Sequence, residues 1–197
     1  YTLTLATAFR MLFGHPPHEL KTGMNVLVWG ASGGIGSMAV QICKAVGANA
    51  IGIISDDEKI PFVEGLGAKG VLNRKKYECF GQLPDVKNQK DYSDFIKKCR
   101  VLGKDIWQIT GKKDVDIVFE HPGESTFPVS CYLVKTGGMV VICAGTSGYN
   151  LTMDARYVWM RQKRIQGSHF ANLYQANQAN DMMIQKPVSY THLRAHE

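Results

Sequence analysis

The sequence predicts an α/β protein built on a doubly wound parallel sheet. Three observations predict it. Short β-rich runs alternate with helical apolar stripes, as consecutive βαβ units do. A glycine cluster (Gly30, Gly33, Gly34, Gly36) leaves the first run and opens the first stripe. After a polar stretch, the same alternation starts again.

The elements follow in order. Residues 25–30, NVLVWG, form a β-rich run. Apolar residues at 35, 38, 39, 42, 43 and 46 then keep to one helical face, and Gly47 is a suitable stop. NAIGIIS (49–55) reads as a second strand. DDEKIPFVEGLG offers acids for a helix start and Pro61 for its first turn. KGVLN (69–73) is a third strand. The second half repeats the pattern: VDIVF (115–119), a helix in ESTFPVSCYLV with Pro128 as a blemish, GGMVVICAG (137–145) and RIQGSHF (164–170). Residues from about 75 to 113 break the alternation. They read as an insertion between the halves, with one amphipathic helical pattern, DYSDFIKKCRVLG.

A chain of 197 residues, 45% hydrophobic and 20% charged, is long enough to bury a core of one or two domains. It has no run of 18 uncharged apolar residues, so no membrane partner is expected. Five scattered cysteines (43, 79, 99, 131, 143) make no C-x-x-C, so no metal site is expected. Thiols set in apolar patterns suit a reducing, cytoplasmic location. Net charge is +6, and between Lys69 and Lys113 twelve Lys or Arg stand against five Asp or Glu. That stretch is either a solvated face or an anchor for a phosphorylated small molecule. It lacks the aromatic-interleaved basic motif of a nucleic-acid binder, and no nucleic-acid partner is expected. The opening YTLTLATAFRML reads as the interior of a longer chain. PVSYTHLRAHE (187–197) reads as a non-native tail, which leaves 1–186 as the domain and gives His192 and His196 no role.

The glycine turn carries the first chemistry. Glycine lets the backbone turn sharply and approach a pyrophosphate closely. With Gly33 at the turn, the N–H groups of Gly34 and Ile35 point at phosphate oxygens from the helix start. Gly36 permits close contact between helix and strand. At the end of the second strand, an acid would receive the ribose 2′-OH of NADH. Here Ser55 holds that place and Asp56 equally starts the next helix. With Lys59 and Arg74 nearby, a hydroxyl and two cations suit a 2′-phosphate, and the expected cofactor is NADPH.

The second piece is VDIVFEHPGE (115–124), where an apolar strand ends in Glu120 and His121. Ligands of open parallel sheets bind beyond the carboxyl ends of strands. Pro122 favours an extended His121 and Pro-Gly makes a firm turn, so the imidazole is expected over the crevice. Glu120 is expected either to orient the ring or to cap a backbone N–H. GTSGY (145–149) is a loop that could line the same crevice. His169 is structural or peripheral, His15 and His18 are expected on a polar loop, and Trp107, Trp159, Met153 and Met160 are expected in a core or an interface.

LKTGMNVLVWGASGGIGSMAVQ resembles the medium-chain dehydrogenase/reductase superfamily, in its zinc-independent quinone and enoyl reductase branch. GASGGIGSMAVQ, the long insertion, VFEHPGESTF, TSGYN and RYVWMRQKRIQGSHFAN together resemble the crotonyl-CoA carboxylase/reductase family over residues 1–186. The resemblance implies a Rossmann-type dinucleotide domain with incomplete flanking segments of a catalytic domain. It implies NADPH-dependent hydride transfer to the β-carbon of an enoyl-CoA, with CO2 captured at the α-carbon, and His121 matched to the histidine that helps hold CO2. It also implies that the basic stretch meets the phosphates of CoA, and a homo-oligomer at full length. On this view the piece alone binds NADPH weakly and does not turn over. A plain quinone or enoyl reductase would lack EHPG and the insertion. A short-chain dehydrogenase would need Tyr-x-x-x-Lys, and Tyr157 has Arg161 at that spacing. A nucleotide-binding module without activity is the remaining alternative.

Overall fold

A computed structural model describes residues 2–185. Six strands form one sheet: β1 (Asn25–Val28), β2 (Asn49–Ile54), β3 (Gly70–Asn73), β4 (Val115–Glu120), β5 (Val134–Ile142) and β6 (Arg164–Gly167). Their order is β3-β2-β1-β4-β5-β6 and every pairing is parallel. The direction of winding reverses between β1 and β4, where Val26 pairs Ile117 and Val28 pairs Phe119. This is the doubly wound order, and the crevice at the reversal is where its ligands bind.

Strand alternation builds a core on each face. Val26 and Val28 point into one, with Ile117, Phe119, Met139 and Val141. Leu27 and Trp29 point into the other, with Val118 and Val140. The first is covered by α1 (Thr2–Phe13), α2 (Gly34–Val46), α3 (Ile60–Gly65) and α7 (Leu173–Gln185). The second is covered by α4 (Gln89–Thr110) and α5 (Phe127–Leu133). A short α6 (Ala155–Trp159) precedes β6.

Local chemistry sets the ends. Gly47 closes α2 at φ +79°, and its N–H reaches the Cys43 and Lys44 carbonyls. Pro128 is no blemish: it lies in the first turn of α5, where the missing N–H has no helical partner to lose. The stretch set apart as an insertion contains α4, the crossover from β3 to β4. The recognised pattern is residues 91–103 of a 22-residue helix that runs on to Thr110, with side chains at 95, 99, 102, 106 and 110 buried. Its first turn is polar, capped by the Asn88 side chain, so the apolar stripe starts late.

Two further expectations are corrected. His15 lies on the loop after α1 but is only 7% exposed, packed in rather than solvated; its carbonyl accepts from Arg164. Trp107, Trp159, Met153 and Met160 are all exposed, so the core half of that expectation is corrected and the interface alternative is left. All five cysteines are free thiols, and four of them are buried. No helix among the described residues is long and apolar enough to cross a membrane. The 187–197 tail lies outside the described residues.

Candidate functional site

Past β1 the chain turns at Gly30, with φ +57°. Gly33 donates to the Gly30 carbonyl at 2.8 Å and accepts from Ser37 at 2.8 Å, which starts α2. No side chain caps this end, and no acid lies in its first turn. The amides of Gly34 and Ile35 therefore lie at an uncapped, positive helix end. A methyl group at Gly36 would collide with the Gly30 carbonyl and lie 2.9 Å from the Ala31 α-carbon. Glycine is what lets helix and turn approach this closely.

Beyond the strand ends lies a cleft of about 300 Å³. Gly30, Ser32, Ser55, Arg74, His121 and Thr146 are among its lining residues. The structure thus brings Ser55 and Arg74 to one cleft with His121. Lys59 is not part of the lining. It pairs with Asp56 at 3.3 Å. Lys75, which sequence reasoning missed, reaches the same carboxylate at 2.5 Å, and the Ser55 hydroxyl donates to it at 2.9 Å. Hydrogen bonds from Lys75, Ser55 and Lys59 hold the Asp56 carboxyl well below the usual carboxylate range. The signal for Lys75 was the run Arg74-Lys75-Lys76, which follows the strand next to the one that ends before Asp56-Asp57.

Glu120 and His121 are parted by alternation. The His121 ring lines the cleft, its Nε2 3.0 Å from the Trp29 carbonyl oxygen. A carbonyl oxygen can only accept, so Nε2 carries the hydrogen. Burial lowers the His121 pKa from its ordinary value, against the Trp29 carbonyl, which raises it. The ring is neutral near pH 7.

Glu120 faces the opposite core and is fully buried. Its carboxylate accepts from Thr126 Oγ1 at 2.7 Å, Ser130 Oγ at 2.5 Å and the Gly123 N–H at 3.1 Å. Of the two roles open to it, the structure shows the backbone cap; it does not orient the ring or reach the cleft. Burial raises its pKa to about 7, against the Ser130, Thr126, Gly123 and His121 hydrogen bonds. The loops after β4 and β5 are clasped together. Ser147 donates to the Pro122 carbonyl through its N–H at 2.8 Å and its hydroxyl at 2.7 Å. Gly123, at φ +87°, leaves no room for a side chain beside Gly145. Thr146 and Ser147 both line the cleft. His169 is exposed, its ring against that of Phe170 at a 59° tilt.

Sheet order, uncapped glycine turn and a cleft at the winding reversal define a Rossmann-type domain of the dinucleotide-binding class. Residues 34–185 match the zinc-binding dehydrogenase family, and the chain belongs to that family. It is 66% identical to the crotonyl-CoA carboxylase/reductase of Cereibacter sphaeroides, over 94% of this chain and 43% of that protein. The solved structure of the crotonyl-CoA carboxylase/reductase AntE in complex with NADP is 40% identical, with a TM-score of 0.94 over 96% of this chain and 47% of that one. The 2-octenoyl-CoA carboxylase reductase CinF, in complex with NADP and 2-octenoyl-CoA, is 37% identical, with a TM-score of 0.80 over 93% and 40%. These matches bear out the resemblance seen in EHPG and GSHFAN. The chain spans less than half the length of each of these proteins. The family's description carries zinc. Among the described residues no group of three or more His, Cys, Asp or Glu could hold a metal ion, so these residues do not fit one.

Proposed function

We propose that this chain is the NADPH-binding part of an enoyl-CoA carboxylase/reductase, with residues 1–186 as the cofactor domain. One observation carries the reading. A single cleft joins the glycine turn, the Ser55–Arg74 end and the His121 ring. The residues fit the cofactor. The open amides of Gly34 and Ile35 would receive its pyrophosphate, because no capping side chain competes for them. Arg74, and Ser55 once its hydroxyl turns from Asp56, would receive the 2′-phosphate, and the Thr146–Ser147 loop would flank the nicotinamide. When bound, NADPH supplies a hydride to the β-carbon of the enoyl thioester.

The rest concerns this chain's own groups. Hydride addition leaves negative charge on the α-carbon and the thioester oxygen of the substrate. Attack of that carbon on CO2 gives a carboxylate; protonation there gives simple reduction. His121 would hold an oxygen of CO2 through its ring N–H, a bond that strengthens as the oxygen gains charge. That N–H is committed to Trp29, so the ring must leave the carbonyl to donate to CO2. The same commitment favours a second reading, plain reduction. The Trp29 carbonyl and the clasped loops fix where the ring starts. The basic stretch around α4 would meet CoA phosphates. Buried free thiols support a cytoplasmic setting, and a homo-oligomer is proposed for the full-length protein.

The test uses the full-length protein with crotonyl-CoA and NADPH, with and without bicarbonate. Mass spectrometry separates ethylmalonyl-CoA from the reduced thioester. Carboxylated product that depends on bicarbonate supports the first reading. Reduced product alone supports the second, and no NADPH oxidation with any enoyl-CoA defeats both.

A further inference from the structure

Asp56 lies two residues past β2, next to Ser55 at the strand end, close to where an acid receives the 2′-OH of a non-phosphorylated dinucleotide and repels a 2′-phosphate. Here that carboxylate is already occupied. Lys75 reaches one oxygen at 2.5 Å; Lys59 at 3.3 Å and the Ser55 hydroxyl at 2.9 Å reach the other. Lys75 comes from a different element, the single turn Arg74–Lys76 that follows β3. That turn is fixed from beneath. Asn73 accepts the Lys75 N–H at 3.0 Å and donates to Asp57 at 2.9 Å, and Asp57 pairs with Lys76 at 3.2 Å. The run Arg-Lys-Lys thus divides its cations. Lys75 and Lys76 meet the two acids, while Arg74 is left to line the cleft beside Ser55.

Pairs as exposed as these add little to stability. Their consequence is the charge presented at the mouth of the cleft. We infer that Lys75 is a positioning residue for cofactor choice: it masks Asp56, so that Ser55 and Arg74 can accept a 2′-phosphate beside an acid that would otherwise reject it. This rests on the NADPH reading above and adds a cause for it.

The test is calorimetric titration of NADPH and NADH into the full-length protein and its variants. Lys75→Ala is expected to weaken NADPH about tenfold, the scale of one unscreened charge beside a phosphate. NADH should stay within about twofold, which also reports that the variant is folded. Adding Asp56→Asn to Lys75→Ala is expected to restore NADPH to within about twofold of wild type. Lys75→Arg, which keeps the charge, should behave as wild type. If NADPH stays weak in the double variant, Lys75 binds the phosphate itself and the masking role is overturned. An unchanged NADPH affinity in Lys75→Ala, or a loss in Lys75→Arg, overturns it too. Wild-type protein without preference for NADPH would instead defeat the cofactor reading, which failed rescue alone leaves standing.

Discussion

The Trp29 carbonyl oxygen and the His121 ring meet at 3.0 Å across the ends of neighbouring strands. On the other face of the sheet, the Trp29 indole N–H reaches Ser130 Oγ at 2.8 Å, and that hydroxyl donates to Glu120 at 2.5 Å. One residue at the end of β1 therefore holds both members of the acid–imidazole pair, by its backbone on one side and its side chain on the other. The pair looks like one unit in sequence. It is two groups with separate surroundings, and their substitution should have separate consequences.

For His121, the expected consequence is chemical. His121→Phe keeps a ring and removes the N–H. In the full-length protein the carboxylated share of product should fall at least about tenfold, below the cost of a lost oxyanion donor elsewhere because water can substitute in part. NADPH affinity should change less than about threefold, since no phosphate contact is touched. Product masses at saturating bicarbonate, beside an NADPH titration, check this. An unchanged product ratio would remove His121 from CO2 capture.

For Glu120 the consequence is a pH dependence of stability. Burial raises its folded-state pKa to about 7 from an ordinary 4.5. The folded protein then binds more protons than the unfolded chain between those values. The stabilisation is complete below about pH 4.5 and is lost as pH rises through about 7, at most about 3 kcal/mol in all. Glu120→Gln cannot titrate, and comparison with it cancels the contribution of His121. Urea unfolding at about pH 5 and pH 8 should show the wild type losing ground to the variant. Parallel behaviour at both pH values would mean the carboxyl titrates normally.

Much of this was legible in the sequence, for physical reasons. The strands were short, apolar and bounded by turn residues, and α2 carried its stripe between a glycine turn and Gly47. The late start of the α4 stripe hid the full length of that helix and its place as the crossover from β3 to β4. In the site, Ser55 and Arg74 were found because a strand end fixes where its next residue points. Glu120 was assigned alongside His121, although alternation alone sends successive side chains to opposite faces. Thr126 and Ser130, its hydroxyl donors, lie one helical turn apart and were a readable sign. Lys75 was not readable in the same way. Its partner is Asp56, nineteen positions earlier, and only the register of β2 with β3 brings them together.

The glycine turn gives a prediction in which stability and binding move together. Any side chain at Gly36 meets backbone of Gly30 and Ala31, which cannot swing aside as a flexible side chain could. Gly36→Ala should push the start of α2 away from the turn and cost about 1–3 kcal/mol, the range for overpacking. NADPH affinity should fall by about tenfold or more, because the amides of Gly34 and Ile35 move with the helix. Gly65→Ala is the control, since a methyl there meets nothing within 4 Å. Thermal unfolding and calorimetry on both variants decide it.

Lys163 poses the reverse problem, a cation placed inside. It is only 7% exposed, and its ammonium donates to the Cys131 carbonyl at 2.7 Å and the Tyr132 carbonyl at 3.1 Å, in the last turn of α5. Burial, then the nearby Arg161 charge, pushes its pKa down to about 8. An apolar residue of similar length would relieve the desolvation and strand two helix-end carbonyls. Lys163→Met is therefore expected to destabilise by about 1–3 kcal/mol, because unsatisfied buried acceptors cost more than a neutral contact regains. The sign with pH is opposite to that of Glu120. A base whose folded pKa is lowered contributes stability that is present above its unfolded pKa of about 10.5 and is lost as pH falls through about 8. The wild-type advantage over Lys163→Met should accordingly widen from about pH 7 to pH 9.5 in urea unfolding. A constant gap would mean the lysine titrates as if solvated, and a variant more stable than wild type would mean those carbonyls find other donors.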